Sequence, residues 1–203
     1  MKNRKWIIVG LVLLFILLSV FISIDLVGPL DEFIYNIVTV KMNNTITNIY
    51  KVITFLGSTL FIILLCVFFL ILFIVLKKKN IGLIISGVLI ISTIFNNLLK
   101  ILFCRARPDV LKLVEESSYS FPSGHTMASV SMYGILIYVL IKSNINKKLK
   151  IILIIFLSIL PILVGLSRVY LGAHFISDII GGFLVSIILL LIETYIIDKK
   201  KWL

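Results

Sequence analysis

The chain has 203 residues, is 61% hydrophobic with a mean hydropathy of +1.20, and carries a formal charge of +11. Soluble domains are close to half apolar, so this composition excludes an ordinary globular protein and points to one membrane-embedded domain. The basic residues stand in short runs between apolar spans, so the charge is expected to orient the chain in a lipid bilayer, and no nucleic-acid partner is expected.

Lys2, Arg4 and Lys5 precede an uninterrupted apolar or small run over 7–24, which reads as a retained first transmembrane helix. Residues 25–50 change character. Gly28-Pro29 and Asp31-Glu32 break the run, and Phe33, Ile34, Ile37 and Val38 recur at helical spacing among polar residues. That pattern predicts an amphipathic helix in the membrane interface, between the first and second spans. Asn43-Asn44-Thr45 matches a glycosylation acceptor by pattern only. The second span is expected over 51–76, with Gly57-Ser58 allowing close helix packing, and the third over 81–103. A polar loop with Pro108 and Pro122 follows. The fourth span is expected over 125–141, the fifth over 151–166 with a kink at Pro161, and the sixth over 175–197. Cys66 falls in mid-span and Cys104 near a span end. Their different depths predict two free, buried thiols rather than a disulfide. The expected fold is therefore an all-α polytopic membrane protein, one domain over 1–203, with six transmembrane helices and one interfacial helix.

With the N-terminus inside, the inner segments hold 13 of the 20 basic residues, clustered around 2–5, 77–79, 142–150 and 199–201. This bias predicts a plasma-membrane protein with both termini cytoplasmic. Three polar clusters then share the outer side. The first holds Lys100, Arg105 and Arg107. Lys100 and Arg107 are seven residues apart, about two helical turns, so on a continuous helix they would face one way. The second is Phe121-Pro122-Ser123-Gly124-His125, whose proline, serine and glycine suit a helix N-terminus, a natural seat for phosphate. The third runs from Ser167 to Asp178 and contains Arg168 and His174. His174 and Asp178, four apart, would share a helix face, so the carboxylate could fix the tautomer of the ring.

The chain uses lysine sixteen times and arginine four times, yet Arg105, Arg107 and Arg168 all fall beside these clusters. The guanidinium fork matches phosphate oxygens in a way lysine does not. Both histidines of the chain lie at outer span ends. One can attack phosphorus while the other protonates the leaving oxygen, and the cations neutralise the transition state. His125, His174 and Asp178 could instead hold zinc, but the converging cations would repel it.

At these residues the chain resembles the type 2 phosphatidic acid phosphatase superfamily, whose phosphate site is shared with vanadium haloperoxidases and glucose-6-phosphatase. The family pattern is Lys-x6-Arg-Pro, Pro-Ser-Gly-His and Ser-Arg-x5-His-x3-Asp. It stands here at 100–108, 122–125 and 167–178, in order and without departure at the fixed residues. The resemblance implies that His174 is the nucleophile and forms a phosphohistidine, that Asp178 orients it, and that His125 is the general acid. It further implies that Lys100, Arg107, Ser123, Gly124 and Arg168 bind the phosphate oxygens, and that no metal or other cofactor is needed. It implies an all-helical bundle with its site near the outer leaflet and a membrane lipid as substrate. The chain is most similar to compact bacterial members acting on phosphatidylglycerophosphate or undecaprenyl pyrophosphate, with phosphatidic acid a further possible substrate. A phosphotransferase with the same intermediate, and an anion or lipid transporter, remain the alternatives.

Overall fold

A computed structural model describes residues 2–202 and contains eight helices and no strand among them. They are α1 (Lys2–Ser23), α2 (Gly28–Thr39), α3 (Asn44–Phe55), α4 (Thr59–Val75), α5 (Lys79–Phe103), α6 (Gly124–Lys142), α7 (Lys147–Tyr170) and α8 (Ile176–Lys200). Five of them, α1, α5, α6, α7 and α8, are long and apolar enough to cross a membrane. The sixth expected crossing is not one straight helix. α3 and α4 meet at a bend of 43° around Leu56-Gly57-Ser58.

The bend has a local cause. Ser58 caps α4, its hydroxyl accepting from the Phe61 N–H at 3.3 Å. Gly57 lies against two other helices. A Cβ there would stand 2.6 Å from Ser129 Oγ and 3.2 Å from the His125 carbonyl, and would overlap Val164. The expected span over 51–76 is thus divided, because hydropathy alone does not register a break flanked by Phe55, Leu56 and Leu60.

α6 is the central helix and touches α4, α5, α7 and α8, whereas α1 packs along α8. The main core joins Ile62 of α4, Ile85, Val88 and Leu89 of α5, Met132, Tyr133, Ile135 and Leu136 of α6, Leu160 of α7 and Ile197 of α8. In lipid such packing gains little from the hydrophobic effect, and close van der Waals contact and interhelical hydrogen bonds matter more. Ser131 of α6 donates to Ser92 of α5 at 2.8 Å, and Tyr133 donates to the Leu56 carbonyl at 2.8 Å. Each such bond is worth about 0.6–2 kcal/mol in a membrane. α7 passes through Pro161 without interruption.

The 25–50 stretch holds α2 and most of α3 rather than one helix. α2 opens on Gly28-Pro29, and Asn43 caps α3 by accepting from the Ile46 N–H at 2.9 Å. The polarity of α2 is inverted relative to a soluble protein. Asp31 is only 2% exposed, while Phe33 and Ile37 are 61% and 53% exposed. Both cysteines are free, but Cys104 is exposed rather than buried, and Cys66 is half-buried. Cys104 takes a left-handed conformation, φ 46°, and ends α5.

Candidate active site

Three segments form the site: the end of α5 with the following loop, the start of α6, and the turn between α7 and α8. The loop is tied down by backbone hydrogen bonds. Leu113 donates to the Leu171 carbonyl at 3.0 Å, Ser120 to that of Arg105 at 2.9 Å, and Ser123 to that of Asp178 at 3.2 Å. Gly172 makes the tight α7–α8 turn possible. Its φ is +70°, and a Cβ there would overlap the Leu111 carbonyl oxygen.

His174 and Asp178 do meet, though not on one continuous helix. α8 begins at Ile176, so His174 lies in the turn and Asp178 in the first helical turn. The Asp178 carboxylate accepts from the Phe175 N–H at 3.0 Å, which closes the helix start over the imidazole. Asp178 Oδ2 lies 3.2 Å from His174 Nδ1 and also accepts from Ser120 Oγ. This arrangement puts the ring proton on Nδ1 and leaves Nε2 unprotonated, an acceptor. Nε2 faces Arg107 at 3.4 Å. Burial pushes the His174 pKa down to about 4 against the opposing pull of Asp178, so the ring is neutral at ordinary pH.

Lys100 and Arg107 converge by a different route from the one expected. α5 stops at Phe103, so they do not share a helix face. Instead both grip the loop ahead of α6. Lys100 Nζ donates to Ser118 Oγ at 2.8 Å and to the Tyr119 carbonyl at 2.6 Å. Arg107 donates through Nε to the Ser118 carbonyl and through a terminal nitrogen to the Ala173 carbonyl, both at 2.7 Å. Arg168 is buried in the last turn of α7. It donates to Thr54 Oγ1 at 2.9 Å and to Glu116, while its Nε has no partner.

Glu116 occupies the middle of this cationic group. Besides Arg168, its carboxylate lies 3.8 Å from Arg107 and 3.9 Å from His125 Nδ1. Lys100, Arg107, Glu116, Ser118, Gly124, His125 and His174 line the polar end of a cavity of about 530 Å³. Its other end is a trough between α4 and α5, lined by Ile62, Ile63, Cys66, Val67, Leu89 and Ile90. Ser123 is fully buried and caps α6, its hydroxyl taken up by Thr126, so its side chain does not line the cavity. Among the described residues, no group of three His, Cys, Asp or Glu side chains is arranged to hold a metal ion.

Behind Asp178 stands a second layer that sequence reading missed. Arg105 donates to Asp178 at 2.6 Å, to Ser177 at 2.7 Å and to Asp31 of α2 at 2.8 Å. Asp31 in turn accepts from the Ser177 N–H at 2.9 Å and hydroxyl at 2.7 Å. Arg105 is therefore a structural partner of the Asp178 carboxylate. The available signal for Asp31 was a carboxylate in an apolar helix; for Glu116 it was an acidic pair in a cation-rich loop.

The PAP2 superfamily profile matches residues 81–202. Phosphatidylglycerophosphatase B of Bacillus subtilis is 34% identical over 195 residues, 95% of this chain and 96% of that protein. Sphingosine-1-phosphate phosphatase 1 of Rattus norvegicus is 35% identical over 103 residues, a match spanning 22% of its length. The crystal structure of a transmembrane PAP2 type phosphatidylglycerolphosphate phosphatase from Bacillus subtilis superposes with a TM-score of 0.88, covering 95% of this chain and 96% of that one at 34% identity. Aquifex aeolicus LpxE shares the fold at a TM-score of 0.64 and 24% identity, over 79% of this chain and 92% of that one.

Proposed function

The chain belongs to the PAP2 superfamily, and from that membership we propose that it releases phosphate from phosphatidylglycerophosphate through a phosphohistidine on His174. The observation that carries the reading is the His174 ring itself. Asp178 holds Nδ1, and the unprotonated Nε2 accepts from Arg107 at the polar end of the cavity. Nε2 attacks phosphorus, the bond from phosphorus to the lipid oxygen breaks, and that oxygen takes a proton from His125. Water then attacks phosphorus and gives a proton to His125. The P–N bond breaks, which frees phosphate and restores neutral His174.

Lys100 and Arg107, which line the cavity, hold the phosphate oxygens, and Arg168, buried just outside that lining, joins them once Glu116 leaves. Glu116 must leave these cations before phosphate can replace it. Gly124 contributes the start of α6, where backbone N–H groups lack partners within the helix. Ser123 supports the seat through its cap. No metal is required, because the cations supply the positive charge.

Counting α3 with α4 as one bent crossing gives six spans. With the lysine bias, both termini are cytoplasmic and the site opens on the extracytoplasmic side. α2 lies along that surface with Phe33 and Ile37 toward lipid.

The test is phosphate release by purified protein, in excess chelator, from phosphatidylglycerophosphate, phosphatidic acid and undecaprenyl pyrophosphate. Phosphatidylglycerophosphate should be hydrolysed fastest, without an added acceptor. His174→Ala should lose nearly all hydrolysis while remaining folded. Substantial activity in that variant would sink the nucleophile assignment, and collapse in chelator would sink the metal-free mechanism.

A further inference from the structure

At the end of the bundle opposite the active site, a groove of about 500 Å³ runs between α5 and α8. That volume is within the range of about 300–1,000 Å³ typical of small-molecule sites. Its walls include Asn80, Gly87 and Ile91 on one side and Glu193, Ile196 and Trp202 on the other. From Asn80 to Ile91 is eleven residues of helix, about 16 Å at 1.5 Å per residue. That is about half of the 30 Å hydrocarbon core, the depth of one leaflet.

Glu193 is the anomaly in this apolar wall. It is 8% exposed, and both carboxyl oxygens are buried without a hydrogen-bond partner. A carboxyl group left unpaired costs free energy in any apolar setting, and ionisable groups inside a membrane are commonly there for a ligand or a partner. The terminal torsion of a glutamate is broad, so the carboxyl can turn toward the groove at little cost. Gly87 adds to the space, since a Cβ built there meets nothing within 4 Å.

We propose that this groove binds a neutral lipid alcohol from the leaflet opposite the active site, with its hydroxyl on Glu193 and one chain along α5. Depth decides between headgroups. Glu193 is seven residues, about 10 Å, inward from Lys200, the last residue of α8, below the level of charged headgroups. An ammonium drawn to that depth would lose its hydration, and the resulting buried pair gains little net. A hydroxyl loses far less and still satisfies the carboxyl.

The test titrates the purified chain in detergent with dioleoylglycerol, its O-methyl ether and a dioleoyl phosphatidylethanolamine, reading bound lipid by native mass spectrometry. The wild type should retain the alcohol about tenfold better than the methyl ether, the worth of one hydrogen bond to a charged or strongly polar group. Glu193→Leu should erase that preference. Gly87→Leu, which fills open space in the groove and leaves Glu193 intact, should weaken binding of the alcohol by a similar factor. Equal binding of alcohol and ether would overturn the proposal. So would preferential binding of the aminophospholipid, a preference for the alcohol that survives Glu193→Leu, or a Glu193-dependent dimer. The readout is binding, so it stands or falls separately from the hydrolytic reading of the other end.

Discussion

Asp178 is held by more groups than a tautomer-setting carboxylate needs. It accepts from His174, Ser120, Arg105 and the Phe175 N–H, so its orientation is over-determined. Asp178→Asn keeps the shape but presents an amide that cannot reproduce this acceptor set. We expect kcat/KM to fall by about 10³–10⁴-fold, as when a histidine loses its orienting carboxylate. A fall of less than tenfold would remove Asp178 from the mechanism. The depressed His174 pKa has its own consequence. An unfolded histidine binds a proton near pH 6.5, whereas the buried ring does so only near 4. Between those values the unfolded state holds more protons, so stability from the neutral ring is complete above about pH 6.5 and drains away as pH falls toward 4. Melting temperature in detergent should decline over that window, and less so in His174→Gln. Glu116 offers a third test. Its carboxylate pairs with Arg107 and Arg168, the cations proposed to seat phosphate, so Glu116→Gln should strengthen inhibition by inorganic phosphate about tenfold. An unchanged inhibition constant would mean that Glu116 does not compete for the seat.

Among the elements, α2 has the least expected part. It carries Asp31 across to the start of α8, a contact between residues 146 positions apart. That pairing clamps Arg105 between two carboxylates and so stiffens Asp178 from behind. Asp31→Ala would leave Arg105 with one carboxylate and the Ser177 groups without their acceptor. Breaking a buried pair typically costs about 3–5 kcal/mol. The variant should melt earlier and lose kcat more than it raises KM, since Asp31 touches no part of the cavity; a pure KM effect would contradict the clamp. The same element explains what the sequence could and could not disclose. α5 to α8 were legible because apolar runs end at lysine clusters, and the meeting of Lys100, Arg107, His125 and His174 at one end of a cavity was legible because motif spacing marks them. Asp31 was not, because its partners lie at the far end of the chain and the local pattern reads as amphipathic surface. The bend at Gly57-Ser58 was hidden by apolar residues on both sides, and the close approach of Gly57 to Ser129 and Val164 of other helices leaves no mark in the local sequence. The shared helix face expected for Lys100 and Arg107 failed because Cys104 adopts a left-handed conformation, which residue type alone does not announce.

On the scale of the whole molecule, the cavity joins two solvents. Its polar end gathers Lys100, Arg107 and both histidines, and its trough opens between α4 and α5 where residues such as Ile63 and Ile90 are exposed on the bundle surface. A lipid phosphate can therefore keep its chains in or near the bilayer while its head reaches His174. This geometry limits what the trough can contribute. A chain moving from bilayer to trough exchanges one apolar surrounding for another, so it gains little of the burial energy it would gain from water. Selection among lipids must then come from exclusion and alignment rather than attraction. Ile90→Trp adds bulk at an exposed position and should leave the fold intact, whereas Cys66→Trp adds it at the half-buried wall beside Ser86. Both should lower kcat/KM for a long-chain lipid phosphate by about tenfold or more, a typical cost of overpacking a fitted site. Hydrolysis of a short-chain, water-soluble phosphate should be nearly unchanged by Ile90→Trp, because Ile90 lies in the trough and a short chain does not extend into it. An equal loss on both substrates would show that the trough shapes the catalytic end itself and does not merely guide the chain.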